Sequence, residues 1–160
     1  MMNIRLVCVG KMKEPFYRDA AREYEKRLTK LCRIETIELP ETRLPETPSP
    51  AQVEKALYEE GQAALKKLEG FALRAALCVE GTQASSEEFA GTFRGEALLG
   101  SQSAAFVIGG SFGLSEEVKK ACNKNISFSR MTFPHHLMRV ILLEQIYRAF
   151  QIITGGKYHK

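Results

Sequence analysis

Residues 104–115 read AAFVIGGSFGLS, and this stretch decides the fold. The apolar run 104–108 predicts a buried strand that ends at Gly109-Gly110, and Ser115 is a residue type that caps helices. In open α/β sheets, ligands bind beyond the carboxyl ends of the strands, where glycines let backbone amides approach them closely. The stretch therefore predicts a strand, a ligand-binding turn and a helix; a tight turn that binds nothing is the alternative.

The same alternation of strand and helix extends over the rest of the chain. Apolar runs predict further strands at 4–9, 34–39, 75–79 and 126–129. Helices are predicted to begin at Pro15, at Ser49-Pro50, at Ser85 or Ser86, at Ser115 and at Pro134. Residues 40–50 contain four prolines and are predicted to form a connecting loop, with a substrate-facing flap as the alternative. Short strands that alternate with helices indicate an α/β fold with a parallel sheet flanked by helices.

Length and composition indicate one globular domain that spans residues 1–160. The chain is 44% hydrophobic and 26% charged, which excludes a disordered or fibrous protein. No apolar run approaches the roughly 18 residues of a membrane span, and Arg5 interrupts the N-terminal apolar stretch, so we expect a cytoplasmic protein. The four cysteines, Cys8, Cys32, Cys78 and Cys122, form no CxxC or His-containing cluster, so we expect no metal site. We expect all four to be buried free thiols.

Charge is distributed unevenly along the chain. Residues 1–117 carry 15 Lys and Arg against 18 Asp and Glu, whereas residues 118–160 carry eight against Glu144 alone. The net charges are therefore −3 and +7. A basic C-terminal quarter indicates an anionic partner, of which RNA is the obvious candidate. A solvated basic face without a partner remains the alternative.

The segment 127–136, SFSRMTFPHH, connects the last predicted strand to a helix that begins at Pro134. A loop of this kind presents backbone donors and acceptors beside an apolar wall, which suits an adenine edge or a small cofactor. His135 and His136 fall in the first helical turn, near Arg130 and Arg139. They are candidates for a functional site, or ordinary surface residues.

The last helix and the tail after it suggest a partner surface and a substrate contact. Residues 137–153 are apolar over a wide arc, which favours a homodimer interface, and Glu144 can pair with Arg148 at i+4. The tail GGKYHK contains Tyr158, which could stack on a base, and cations that could contact phosphate.

Taken together, these motifs resemble the RlmH family of small pseudouridine N3-methyltransferases. The resemblance rests on VIGG at 107–110, MTFPH at 131–135, RV at 139–140, EQIYRA at 144–149 and YHK at 158–160, with VGKMK at 9–13 at the N-terminus. It implies a SPOUT-type fold with a C-terminal trefoil knot, whose cofactor-binding part covers about residues 75–160. It also implies that S-adenosyl-L-methionine binds against Leu77, Gly109, Gly110, Phe128, Ser129, Arg130, Met131, Thr132 and Phe133.

The resemblance further implies a homodimer with a shared active site. Its substrate would be 23S rRNA in the assembled 70S ribosome, methylated at N3 of pseudouridine 1915 in helix 69. Methyl transfer needs an in-line nucleophile, and N3 must lose its proton, so cations near the base would stabilise the developing anion. The candidate catalytic residues are His135, Arg148, Tyr158, His159 and Lys160. Lys160 stands where some family members have Arg, which weakens a bidentate phosphate contact there.

Other functions remain open from the residues alone. One is a ribosome-binding factor without catalysis, and another is a SPOUT methyltransferase that acts on tRNA. A nicotinamide dehydrogenase is disfavoured, because the chain has neither the G-x-G-x-x-G fingerprint nor an acidic ribose anchor.

Overall fold

A computed structural model describes residues 1–98, 100 and 102–159, without the side chains of 96–98. Five strands alternate with five helices: β1 (Asn3–Val9), α1 (Pro15–Leu28), β2 (Arg33–Leu39), α2 (Pro50–Leu68), β3 (Leu73–Gln83), α3 (Ser86–Leu98), β4 (Ser103–Ile108), α4 (Glu116–Ala121), β5 (Lys124–Ser127) and α5 (His135–Ile153). The strands form one sheet in the order β2-β1-β4-β3-β5, and every pairing is parallel. The predicted parallel sheet flanked by helices is confirmed, whereas the trefoil knot stays a prediction.

Both faces of the sheet are covered, because successive side chains of a strand point to opposite sides. Leu6 and Phe106 belong to the core that α1, α3 and α5 cover. Their neighbours Val7 and Val107 belong to the smaller core beneath α2 and α4. The central strands β1 and β4 are therefore apolar on both faces, apart from Asn3, Arg5 and Ser103, which explains why their sequences are mainly apolar.

Two strands differ from the sequence-based bounds by more than one residue. β3 continues past its bulge at 77–82 to Gln83, since Gly81 lies against the β5 backbone: a Cβ at this position would be 2.6 Å from the carbonyl carbon of Ile126. β5 covers 124–127 instead of 126–129. Lys124 and Asn125 are exposed at the sheet edge, so the apolar pattern did not mark the beginning of this strand.

Side-chain caps explain where three of the helices begin. The Ser49 hydroxyl accepts from the Gln52 N–H in a capping box, the Ser85 hydroxyl accepts from Glu88, and Ser115 caps α4. In α1, the side chain of Phe16 does not pack on the core and is 64% exposed. The buried stripe begins one residue later, at Tyr17, and continues through Ala21 and Leu28.

The cysteines and the helices add two further observations. All four cysteines are free, but only Cys8 and Cys32 are buried, and Cys78 and Cys122 are half-buried. Over the described ranges, no helix combines the length and hydropathy that a bilayer span requires.

Candidate functional site

A cavity of about 640 Å³ opens at the carboxyl ends of β3, β4 and β5. The topology brings these ends to one edge of the sheet, as expected for a ligand site of an open α/β fold. Eight of the nine residues predicted to bind the cofactor line this cavity: Leu77, Gly109, Gly110, Phe128, Ser129, Met131, Thr132 and Phe133. The ninth, Arg130, is exposed and is absent from the residues that line it.

The glycine-rich turn after β4 forms one wall of the cavity. A Cβ at Gly109 would overlap the backbone of Gly113, which returns against the turn in a bridge between Gly110 and Gly113. Gly113 itself has φ +80°, a conformation that side chains disfavour. The turn can fold this tightly only with glycines, and its main chain is therefore presented to the cavity.

Glu41 holds this turn from outside the cavity. It follows β2, and its Oε1 accepts hydrogen bonds from the Ser111 N–H at 2.9 Å and from the Ser111 hydroxyl at 2.8 Å. Burial opposes ionisation of Glu41, but these two bonds hold the pKa of the carboxyl below its usual range. Glu41 is not among the site residues predicted from the sequence. The available signal was its position, because it follows a strand end on the edge of the sheet that carries the site.

The opposite wall is the loop 128–133, and hydrogen bonds at its beginning give it shape. The Ser127 hydroxyl donates to the Ser129 carbonyl at 2.8 Å, and the Ser129 hydroxyl accepts from the Met131 N–H at 3.0 Å. Phe128 packs edge-on against Phe89 of α3, which anchors the loop to the core. Met131 is 72% exposed and lies at the cavity mouth.

His135 lies at the boundary between the cavity and a second cavity of about 680 Å³ at the ends of β1 and β2. Burial, reinforced by the adjacent His136, lowers the pKa of His135 below its ordinary value. Its ring is therefore neutral at pH 7 and can accept a proton. The neighbouring His136 is held by Glu14, at 2.8 Å from Nδ1 to Oε2. The second cavity was not predicted from the sequence.

Arg139 is buried next to this site, where it holds neighbouring elements together. It is 3% exposed, and its guanidinium donates to Glu38 Oε1 at 2.5 Å and to the Gly10 carbonyl at 3.0 Å. These bonds tie α5 to the ends of β1 and β2. Arg139 was interpreted as one of the cations beside the histidines, but its charge is buried and neutralised by Glu38.

The remaining predicted catalytic residues gather around Glu144 on the other half of α5. Glu144 Oε1 accepts from Arg148 at 2.6 Å, the predicted i,i+4 pair, and from the Tyr158 hydroxyl at 3.2 Å. The Arg148 guanidinium lies over the Tyr158 ring at 4.7 Å. His159 contacts Arg148 at 3.4 Å and Glu87 at 2.7 Å. Lys160 lies outside the described residues.

One chain does not bring the two groups of candidate catalytic residues together. His135 and Arg148 are on the same uninterrupted helix, and 13 residues at 1.5 Å each separate them by about 20 Å along its axis. A single reacting base cannot contact both. The described arrangement of one chain therefore does not form a site that uses both groups.

Comparisons with known proteins give a family match over nearly the whole chain. The family described as "Predicted SPOUT methyltransferase" matches residues 2–159. Two curated relatives named "Ribosomal RNA large subunit methyltransferase H" each align with 99% of this chain and 100% of their own length. They are 47% identical in Bacillus thuringiensis and 43% identical in Lactobacillus delbrueckii subsp. bulgaricus.

Solved structures share the fold at low sequence identity. A protein of Bordetella pertussis Tohama I, described as a probable methyltransferase, superposes with a TM-score of 0.60 at 16% identity, covering 92% of this chain and 95% of that one. The Legionella pneumophila protein Lpg2936, solved with the bound cofactor SAM, gives a TM-score of 0.52 at 11% identity, covering 95% and 66%.

Proposed function

This chain belongs to the SPOUT methyltransferase family and, within it, to the ribosomal RNA large subunit methyltransferase H family, and we propose that it methylates a pseudouridine of large-subunit rRNA. The observation that carries the proposal is the identity of 43–47% to relatives of that name over 99% of the chain. This membership confirms the resemblance to the RlmH family that the motifs indicated.

The cavity beyond β3, β4 and β5 fits S-adenosyl-L-methionine. Its volume of about 640 Å³ suits a ligand of this size, and its glycine turn leaves no room for a Cβ at Gly109. Leu77 and Phe128 supply apolar walls, and the loop 128–133 supplies backbone groups for an adenine edge. When bound, the cofactor supplies an electrophilic methyl group carried on a sulfonium. We assign residues about 75–160 of a single 1–160 domain to this part.

The proposed substrate is N3 of pseudouridine 1915 in helix 69 of the assembled 70S ribosome. N3 must lose a proton as it gains the methyl group. We assign the acceptor role to His135, because it lines the cofactor cavity and its lowered pKa keeps the imidazole neutral.

A homodimer with a composite active site is part of the proposal. The separation of about 20 Å between His135 and Arg148 supports it. In this arrangement Tyr158 of one protomer stacks on the base that lies over the cofactor cavity of its partner. Arg148, His159 and Lys160 stabilise negative charge on the ring. Because assembled ribosomes are cytoplasmic, the cytoplasm is the proposed location.

The test is methyl transfer from labelled S-adenosylmethionine to ribosomes from a strain that lacks this gene. Four substrates from this strain are compared: 70S ribosomes, 50S subunits, naked 23S RNA and tRNA. Label confined to 70S ribosomes and mapped to N3 of the helix 69 pseudouridine supports the proposal in full. Label on tRNA alone moves the substrate to tRNA. Cofactor binding without label on any RNA contradicts the proposed reaction and favours a non-catalytic ribosome-binding factor.

A further inference from the structure

Helix α1 presents a row of cations that the sequence-based charge count did not single out. Arg18, Arg22 and Lys26 recur at every fourth residue, so they lie along one side of the helix, and all three are exposed. Among the described residues, none of the three forms an ion pair. We name these three residues the α1 basic strip. Lys13 and Lys30, also exposed, lie just before and just after the helix.

The acidic residues of the same segment are mostly engaged elsewhere. Glu14 contacts His136, Glu23 pairs with Arg27, and Glu25 accepts from the Thr36 hydroxyl. Asp19 lies beside the strip on the exposed surface. The strip therefore keeps its positive charge available to an external anion.

Several cations of the C-terminal quarter, in contrast, form ion pairs with acidic residues of the same chain. Lys119 pairs with Glu80 and Glu116, Arg139 with Glu38, and Arg148 with Glu144. The net charge of +7 in residues 118–160 thus overstates the positive surface of that segment. The cations of the strip, located in a segment whose sequence count is negative, have no such partners among the described residues.

The position of α1 connects the two halves of the candidate site. At its N-terminal end, Glu14 contacts His136, next to the cofactor cavity. At its C-terminal end, Tyr24 packs against Tyr147, whose ring lies 4.9 Å from that of Tyr158. Arg27 lies over the Tyr147 ring as well. Helix α1 therefore runs beside α5 from the His135 group to the tail group and spans the distance between them.

We propose that the α1 basic strip is a docking surface for the RNA backbone that flanks the methylated nucleotide. This inference rests on the proposed function. Successive cations of the strip are about 6 Å apart along the helix axis, which gives the regular spacing that a chain of phosphates can follow. Contacts of this kind are independent of sequence: they position the RNA and leave the choice of base to the site itself.

The experiment removes three positive charges from each of two helices. The strip variant is R18Q/R22Q/K26Q, which keeps good helix formers on α1. The control variant is K55Q/K66Q/K67Q, which removes the same charge from exposed positions of α2, on the opposite face of the sheet. For each protein, the Kd for 70S ribosomes is measured from 50 to 200 mM salt, and the Kd for S-adenosylmethionine is measured by calorimetry.

Three lost phosphate contacts reduce the slope of log Kd against log salt by roughly 2 to 3. Over this range, the wild-type Kd should therefore rise roughly 15- to 40-fold more than that of the strip variant. The control variant should keep the wild-type slope, and all three proteins should bind the cofactor equally. A strip variant with the wild-type slope, or with no larger change than the control, overturns the inference.

The two proposals fail separately. If wild-type protein methylates the ribosome and the strip variant keeps the wild-type salt slope, only the docking surface is wrong. If no RNA is methylated but the strip variant loses the salt dependence of ribosome binding, the surface stands and the proposed reaction is wrong.

Discussion

Glu41 and Ser111 are 70 residues apart in the chain, yet one carboxylate oxygen of Glu41 accepts both the backbone N–H and the hydroxyl of Ser111. This contact fastens the loop after β2 to the glycine turn after β4. A Cβ at Gly110 would lie 2.6 Å from the same oxygen, so the carboxylate lies against the turn itself. The geometry of the cofactor cavity therefore depends on a residue that is not among those lining it.

Replacing Glu41 with Ala should weaken cofactor binding about 5- to 10-fold, since the turn loses both hydrogen bonds, equivalent to about 1 kcal/mol. S111A removes the hydroxyl donor alone and should have a smaller effect. Because the two residues act through one contact, the double variant should be less impaired than the sum of the single variants. Calorimetry with S-adenosylmethionine measures all three.

Glu46 provides the control for this cycle, because it lines the second cavity and is exposed. E46A should bind the cofactor like the wild type. Equal losses for E46A and E41A, or full additivity of E41A and S111A, would contradict the positioning role of Glu41.

Local patterns were sufficient to predict the strand–helix alternation and the loops that line the cavity. Apart from Arg5, the runs 104–108 and 4–9 are buried on both faces, so their apolar character marks them as strands. The loop 128–133 and the glycine turn follow strand ends, and parallel strands bring such ends together. A residue that follows the end of a parallel strand can therefore be placed at this edge of the sheet from its position in the chain alone.

The parts that failed depend on contacts between distant segments. Glu41 lies in a proline-rich stretch whose path no local sequence pattern determines. Its hydrogen-bond partner, Ser111, lies in the turn after β4. Charge counts assume that every cation is available, but Arg139 is buried against Glu38. The length of α5 gives the separation of His135 from Arg148. That these two residues do not meet at one site within a single chain becomes clear only once the cavity is located at one end of α5.

Gly109 to Ala should be one of the most damaging single substitutions near the site. The added methyl group overlaps the backbone of Gly113, so the turn must open. We expect at least a tenfold loss of cofactor affinity, roughly 1.4 kcal/mol, by calorimetry. The control is G91A in α3, where the Cβ meets no atom within 4 Å and should stabilise the fold by about 0.5–1 kcal/mol. An unchanged affinity of G109A for S-adenosylmethionine would show that the turn is not part of the cofactor site.

His135 to Ala should lower turnover more than it lowers cofactor affinity, because the imidazole is assigned to proton transfer. The lowered pKa of His135 means that the wild-type base is neutral above about pH 6.5 and becomes protonated only below it. The rate should therefore be flat near neutral pH and fall on the acid side, and this acid limb should be absent from the residual activity of H135A. Cofactor binding lost in step with activity would contradict the assignment.

Glu38 to Gln should destabilise the protein by about 1–3 kcal/mol at pH 7, since it leaves the buried Arg139 guanidinium without a counter-charge. Burial opposes ionisation of Glu38, but the hydrogen bond from Arg139 holds its pKa below the ordinary value. The contribution is thus complete above about pH 4.5 and is lost as the pH falls through the folded-state pKa. The free energies of unfolding of wild type and E38Q, measured by urea unfolding at a series of pH values, should converge below pH 4.5. A difference in free energy that stays constant with pH would contradict this.

Bound cofactor should protect one cysteine selectively from a thiol reagent. Cys78 lines the cavity and is half-buried, whereas Cys122 is half-buried outside it. Burial raises the pKa of both thiols, that of Cys122 to about 11, so labelling is measured at pH 9 by mass spectrometry. Cys8 and Cys32, with pKa values raised to about 12 by burial, should stay unlabelled in the folded protein.

S-adenosylmethionine should slow the labelling of Cys78 and leave that of Cys122 unchanged, because only the first thiol faces the ligand. Equal protection of both would indicate a general tightening of the fold, and protection of neither would place the cofactor elsewhere.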